Sequence, residues 1–113
     1  MPISNETFSA AEEFAYDLQS RDRATLIGET TAGGAHGSDH VRLDEQYTVF
    51  IPSGQAINPI TGTNWEGTGI TPDVPVHRHD ALQVAHHMAL RSLLESNALH
   101  DELRAEATQA LHP

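Results

Sequence analysis

Apolar and polar positions along the chain fall into a short series of recognisable periods. Phe8, Ala11, Ala15 and Leu18 recur at helical spacing, with Phe14 and Tyr16 flanking the stripe, and predict a first helix ending near Gln19 to Arg21. Thr7 or Ser9 supplies its cap, and Glu12 and Glu13 suit the positive end of its dipole. The run Ala24-Thr25-Leu26-Ile27-Gly28-Glu29 is short, apolar and glycine-bounded, the pattern of a buried strand. Thr30 to Gly37 is a small-residue loop with three glycines, expected to be mobile or closely approached by other backbone. Val41 to Leu43 and Tyr47 to Ile51 predict two strands around the turn Asp44-Glu45-Gln46, the second half buried. Pro52-Ser53-Gly54 reads as a turn and Ala56-Ile57 as one more short strand.

Residues 58–76 hold three prolines and three glycines and predict a long irregular segment. The only tryptophan, Trp65, stands in it beside Glu66, which favours an ordered loop over a disordered one. Asp80 is placed to cap a long amphipathic helix with Ala81, Leu82, Ala85, Met88, Ala89 and Leu93 on one face. A break is expected near Asn97, followed from Ala98 to Leu111 by a weakly apolar helical tail. The organisation is therefore a main unit over 1–97 and a helical tail over 98–113.

Length and charge narrow the classes. The 113 residues are enough for one small domain. Sixteen acids against six bases give a net charge of −10, and such a surface repels phosphate backbones, so no nucleic-acid partner is expected. All six bases are arginine, so a Ser-Lys dyad cannot be built from this chain. There is no cysteine, which excludes disulfides, thiolate metal sites and a Cys nucleophile. No run approaches the roughly 20 apolar residues of a membrane span, and no signal-peptide pattern is visible. The abrupt opening Met1-Pro2-Ile3-Ser4 suggests missing upstream sequence.

Four constellations could carry chemistry. Ser9 at a helix N-terminus has its hydroxyl near backbone donors, notably the Ala10 N–H, that can hold a developing oxyanion. The same pattern also describes an ordinary cap, and Glu12 three residues on completes a capping box. Glu66, between Trp65 and Gly67, can orient a base or a substrate amine, or be a solvated loop acid. The loop from Thr30 to Gly37 lacks the Gly-Lys-Ser/Thr ending of a phosphate cradle; it can let a peptide backbone approach, or simply connect two strands. His36 and His40 lie in or beside that loop as candidate bases for Ser9. His77 and His79 alternate on an extended stretch without an evident third metal ligand, and the helical neighbours His86 and His87 point apart. Neither a metal nor a cofactor is expected.

Three segments in order resemble the S41 peptidase family: Thr7-Phe8-Ser9-Ala10-Ala11-Glu12-Glu13-Phe14-Ala15-Tyr16, Ala24 to Gly34, and Trp65-Glu66-Gly67-Thr68-Gly69-Ile70-Thr71-Pro72-Asp73-Val74. The resemblance covers residues 1 to about 90 and is nearest the branch of interphotoreceptor retinoid-binding protein modules and the tricorn core protease. It implies the C-terminal portion of an α/β, ClpP/crotonase-like ββα superhelix. It implies Ser9 as nucleophile, Ala10 N–H as an oxyanion donor, Glu66 as the acid that helps organise the site, and Gly33-Gly34 as a substrate-binding stretch. The tail-specific branch places a lysine base in that stretch, and this chain has none. In the histidine-using branch the base lies upstream of the nucleophile, in a segment absent here.

The function so implied is serine-type hydrolysis of peptide bonds, as in tail-specific, carboxyl-terminal processing peptidases. The substrate would be a peptide or unfolded protein and the assembly a homo-oligomer. Periplasmic or secreted placement would be compatible with the family. The alternatives are a non-catalytic binding module of the retinoid-binding type and a self-associating structural fragment.

Overall fold

The computed structural model describes residues 1–96 and 100–111. Three very short strands, β1 (Pro2–Ile3), β2 (Ile27–Gly28) and β5 (Val74–Pro75), form a parallel sheet in the order β1-β2-β5. The helix α1 (Ala10–Ser20) crosses from β1 to β2. A hairpin of β3 (Ser38–Arg42) and β4 (Thr48–Pro52), followed by a long loop, leads from β2 to β5. Two helices close the chain: α2 (Arg78–Glu95), which runs along β1 and β2, and α3 (Asp101–Leu111), packed on α2.

The expected buried strand at 24–29 contracts to two residues, but its environment is as expected, with Leu26, Ile27 and Gly28 all buried. Strand β1 was not legible as a strand, because two residues show no period. It pairs through Ile27 N–H to the Met1 carbonyl at 3.0 Å and Glu29 N–H to the Ile3 carbonyl at 3.3 Å. A Cβ on Gly28, whose φ is +138°, would lie 1.9 Å from the Ile3 carbonyl oxygen, so the sheet closes only around glycine there.

Ile3, Ala15, Leu26, Ala35, Trp65 and Ile70 make the core, with Tyr16, Met1 and Ala56 packed on it. Ile27, next along the strand from Leu26, is buried outside this cluster, as alternation requires.

Several expectations shift. The buried stripe of α1 is Glu12 and Ala15, while Phe8 and Phe14 are exposed. A carboxylate therefore occupies a core position that apolar spacing does not pick out. The α2 helix begins at Arg78 with His77 as N-cap, and Asp80 sits in its first turn rather than at the cap. Of the expected α2 face only Ala81 is fully buried, and Leu82 is 72% exposed. Ala56-Ile57 is not a strand; two bonds tie it down, Ala56 N–H to the Ala35 carbonyl at 3.2 Å and Asn64 Nδ2 to the Ala56 carbonyl at 2.8 Å. The expected break at Asn97 lies outside the described residues.

The β3–β4 hairpin, expected half buried in its second strand, is exposed along all of β4. Among the described residues nothing packs on it, and Val41, Leu43, Tyr47, Val49, Phe50 and Ile51 are exposed. The molecule is accordingly elongated, 65 × 31 × 22 Å, with a radius of gyration of 19.0 Å. A compact chain of about 100 residues would give about 13 Å.

Candidate active site

Ser9 occupies the N-cap of α1, but not in the way an ordinary cap does. Its backbone is at φ 55°, ψ −123°, where N-cap residues are normally extended. These dihedrals are those of the first central residue of a type II′ turn, a position glycine dominates. Holding a serine there costs on the order of 1–3 kcal/mol. Ser9 and Asp22 are the non-glycine residues with positive φ among those described. The Ser9 side chain is positioned beside the Glu12 amide as in a capping box, yet it makes no cap hydrogen bond, because that N–H donates to the Ser9 carbonyl at 2.8 Å. Ser9 is exposed.

The amides around Ser9 are unequally engaged. Ala11 N–H donates to the Phe8 carbonyl at 3.2 Å and Glu13 N–H to the Ser9 carbonyl at 3.0 Å. Ser9 N–H donates to Glu12 Oε2 at 2.8 Å. The Ala10 N–H has no acceptor among the described residues. A free donor therefore adjoins a strained, exposed serine hydroxyl at the positive end of a helix.

Glu12 is completely buried and its carboxylate is a hub. Besides Ser9 N–H it accepts from Thr31 Oγ1 at 2.5 Å, Gly33 N–H at 2.7 Å and Gly34 N–H at 2.9 Å. Burial pushes its pKa up, but the bonds from Thr31, Gly34, Gly33 and Ser9 together outweigh burial and hold the carboxyl below its ordinary range. Glu66 takes the next two amides of the loop, Ala35 N–H at 2.6 Å and His36 N–H at 2.9 Å. The Ala35 bond is the main reason that the Glu66 pKa also lies below the ordinary value. His36 Nδ1 lies 3.7 Å from Glu66 Oε1.

The glycine loop is thus fixed rather than mobile. The Gly33 and Gly34 amides go to Glu12, the Gly33 carbonyl accepts from Gly67 N–H at 2.9 Å, and the Gly34 carbonyl from Trp65 Nε1 at 3.1 Å. The Phe8 ring lies over Gly34, where a Cβ would be 2.1 Å from its edge. Trp65, buried and tilted against Tyr16 at 5.3 Å between ring centres, anchors the 58–76 segment. Asn58 pins the other end, donating to Asp17 Oδ1 at 2.8 Å and Ser20 Oγ at 3.0 Å.

Ser9, Ala10, Gly33, Gly34 and Glu66 therefore surround one loop. Two further residues of this hydrogen-bonded network escaped sequence reasoning. Glu12 was legible as a helix-start acid and half of a capping box, and Thr31 as a loop residue; the signal available was an acid at a position whose helical neighbours are core. His40 instead lies on the hairpin, edge-on to Phe50. His77 caps α2, with Nε2 3.8 Å from Glu29 Oε1, and the Glu29 pKa is lowered chiefly by the Arg78 N–H bond. Among the described residues no group of three or more His, Cys, Asp or Glu side chains is placed to hold a metal ion. None of the described helices is long and apolar enough to cross a membrane.

A family model, that of Peptidase family S41, matches residues 2–76, which include every residue of this site. Among solved structures, a photosystem II D1 C-terminal processing protease is similar at 26% identity and a TM-score of 0.58, over 68% of this chain and 20% of that one. The structure of mature CPAF is similar at 25% identity and a TM-score of 0.61, over 71% of this chain and 16% of that one. The chain spans a fifth or less of the length of these two proteins.

Proposed function

The chain belongs to peptidase family S41 and has part of that family's α/β fold; on that premise we propose that it carries the nucleophile-bearing part of a serine-type peptidase centre. Ser9 Oγ adds to the carbonyl carbon of a peptide bond, and its proton passes to a general base. The carbonyl oxygen becomes an oxyanion held by the Ala10 N–H. The base then protonates the leaving amine as the C–N bond breaks, and water releases the acyl group from Ser9. Glu66, ionised and turned toward His36, is the acid that fixes the electrostatics of the site. Gly33 and Gly34 act by shape, as a pinned wall along which an extended substrate passes, since their own amides are engaged by Glu12.

The observation that carries this reading is the pair formed by the left-handed Ser9 and the unengaged Ala10 N–H. A cap serine would be extended; a nucleophile raised on a sharp turn at a helix start has the positive φ seen at Ser9, and the Ala10 N–H, orphaned as at any helix N-terminus, supplies the donor. The chain has no lysine to act as its base. We assign it to the remainder of a longer peptidase, as the short span relative to the two proteases suggests. Substrates would be unstructured polypeptides, in keeping with the C-terminal processing role in the name of one structural neighbour.

The test is hydrolysis of an unfolded protein such as reduced casein by the longer peptidase that supplies the base, with and without Ser9→Ala. Loss of cleavage in the variant is expected; cleavage that survives it would overturn the assignment. A second reading, self-association, is favoured by the uncovered apolar hairpin.

A further inference from the structure

We propose that Glu12 is a positioning residue, holding Ser9 in its left-handed conformation and locking it in register with the loop that Glu66 grips from the other side. The proposal rests on the assignment of Ser9 as nucleophile, and adds a residue that contacts neither substrate nor reacting atoms.

The geometry argues for it in three steps. First, Ser9 sits in a conformation that an L-residue avoids, so something must compensate. The Ser9 N–H to Glu12 Oε2 bond, at 2.8 Å and made to a buried carboxylate, is the contact that does so. Glu12 is the N3 acid of a capping box, and this bond ties the amide of the strained Ser9 to a buried carboxylate. Second, Glu12 Oε2 also accepts from Gly34 N–H, so one oxygen atom is shared by the nucleophile's own amide and the loop. Third, the following two amides of that loop belong to Glu66. Ser9, Glu12, residues 33–36 and Glu66 form an unbroken hydrogen-bonded path in which each contact is 2.6–2.9 Å. Ser9 and Glu66 are thus linked through Glu12 without direct contact, alongside the Ala32 N–H to Thr7 carbonyl bond at 3.0 Å that joins the same loop to the segment before Ser9.

A second consequence concerns the oxyanion. Because Glu12 takes the Ser9 N–H, the serine's own amide is withheld from substrate, and Ala10 N–H is left as the donor at this helix end. Releasing Glu12 would offer two competing donors and blur the position of the oxyanion.

The experiment uses the full chain, with Glu12→Gln as the variant that keeps shape but exchanges an acceptor oxygen for an amino group facing N–H donors. Two readouts are taken on the folded protein. In the first, amide resonances are followed against pH. Ser9, Gly33 and Gly34 are expected to titrate together below the ordinary glutamate range, and the Glu12→Gln protein to lose this shared transition while Trp65 remains buried by fluorescence. Independent titration of Ser9 would overturn the proposal. In the second, phosphonylation of Ser9 by a fluorophosphonate is timed by intact mass. Misplacing a reactive group by about 1 Å costs on the order of 10²-fold, so labelling should slow by about that factor in Glu12→Gln. Equal rates in the two proteins would overturn the positioning role. Failure of the unaltered chain to label would instead count against Ser9 as a nucleophile in this chain, and the positioning claim is then decided by the amide titration. Should Glu12→Gln not fold, Thr31→Val, which removes one bond to Glu12 without touching Ser9, is used: it should shift the shared titration upward for all three amides at once, and a shift confined to one amide would overturn the proposal.

Discussion

Glu12 and Glu66 divide one loop between them: Glu12 accepts the N–H groups of Gly33 and Gly34, and Glu66 those of Ala35 and His36. Both carboxyls are held below their ordinary pKa of 4.5, Glu12 against burial and Glu66 chiefly by the Ala35 N–H. A carboxyl whose folded pKa is depressed contributes stability that is fully present above its unfolded pKa. That contribution is lost as pH falls through the lower folded value. Thermal midpoints should accordingly be flat from neutrality down to about pH 5 for this pair, then fall progressively below about pH 4. Glu66 is partly exposed and screened, so most of the fall belongs to Glu12, and Glu66→Gln should leave most of the acid slope in place. A slope abolished by Glu66→Gln would contradict this division.

The hub also sets a stability ordering. Glu12→Ala leaves three backbone N–H groups and the Thr31 hydroxyl without their charged acceptor and opens space in the core. Hydrogen bonds to charged groups contribute about 1.5–3 kcal/mol each, and their loss is only partly additive, so a total of about 3–4 kcal/mol is expected. Glu13→Ala, exposed on the next position of the same helix, should change stability by no more than about 0.5 kcal/mol. Urea midpoints of the two variants provide the comparison.

What was legible in the sequence follows the length of each pattern. The helices α1 and α2 and the hairpin span enough residues to show a period, and each formed near its expected place. The parallel sheet did not announce itself beyond Leu26 and Ile27, because strands of two residues have no period and are defined by their neighbours. Ser9, Ala10, Gly33, Gly34 and Glu66 were drawn together by motif order. The physical linker, Glu12, was hidden, since a buried carboxylate reads in sequence as a solvated helix-start acid until its donors are known. The exposed hairpin was misjudged for a related reason: apolar residues in strands signal burial against something, and here nothing in the described structure covers them.

Two glycines separate loop strain from loop packing. A Cβ on Gly69, at φ +71°, would lie 2.1 Å from the Thr31 carbonyl oxygen, a backbone atom that Glu12 and Ile70 hold in place through Thr31. Gly69→Ala should therefore cost at least about 2 kcal/mol. At Gly34 the clash is with the end of the Phe8 ring, which is exposed and able to swing outward. Gly34→Ala should cost less, about 1 kcal/mol, and combining it with Phe8→Ala should recover part of that cost. Equal penalties at the two sites would show that the Phe8 ring is not free to move.

Val41, Val49 and Ile51 share one face of the hairpin, by the register that pairs Val41 with Val49 and Asp39 with Ile51. With that face uncovered, the chain at high concentration should sediment as more than a monomer, despite its net charge of −10. Raising salt should strengthen the association by screening the repulsion between like-charged copies. Val49→Lys with Ile51→Lys should return the profile to monomer without lowering the thermal midpoint by more than a degree or two, since neither residue lies in the core. A monomer at all concentrations and salts would remove self-association as a reading.

Ser9 admits a test that needs no substrate. For an ordinary N-cap in extended conformation, Ser→Gly costs a few tenths of a kcal/mol and Ser→Ala about 1 kcal/mol, because the cap bond is lost and nothing is gained. Ser9 has no cap bond to lose, and its dihedrals of φ 55° and ψ −123° are ones that glycine adopts readily. Ser9→Gly should therefore raise stability by about 1 kcal/mol, even after the larger unfolded-state entropy of glycine, whereas Ser9→Ala should be close to neutral because alanine bears the same backbone strain. Urea midpoints for the three proteins decide it. Stabilisation by glycine means the native chain holds a strained serine where a relaxed residue would fold better, as expected of a residue kept for reactivity rather than for the helix. A glycine variant less stable than the serine protein would return Ser9 to the status of a helix cap.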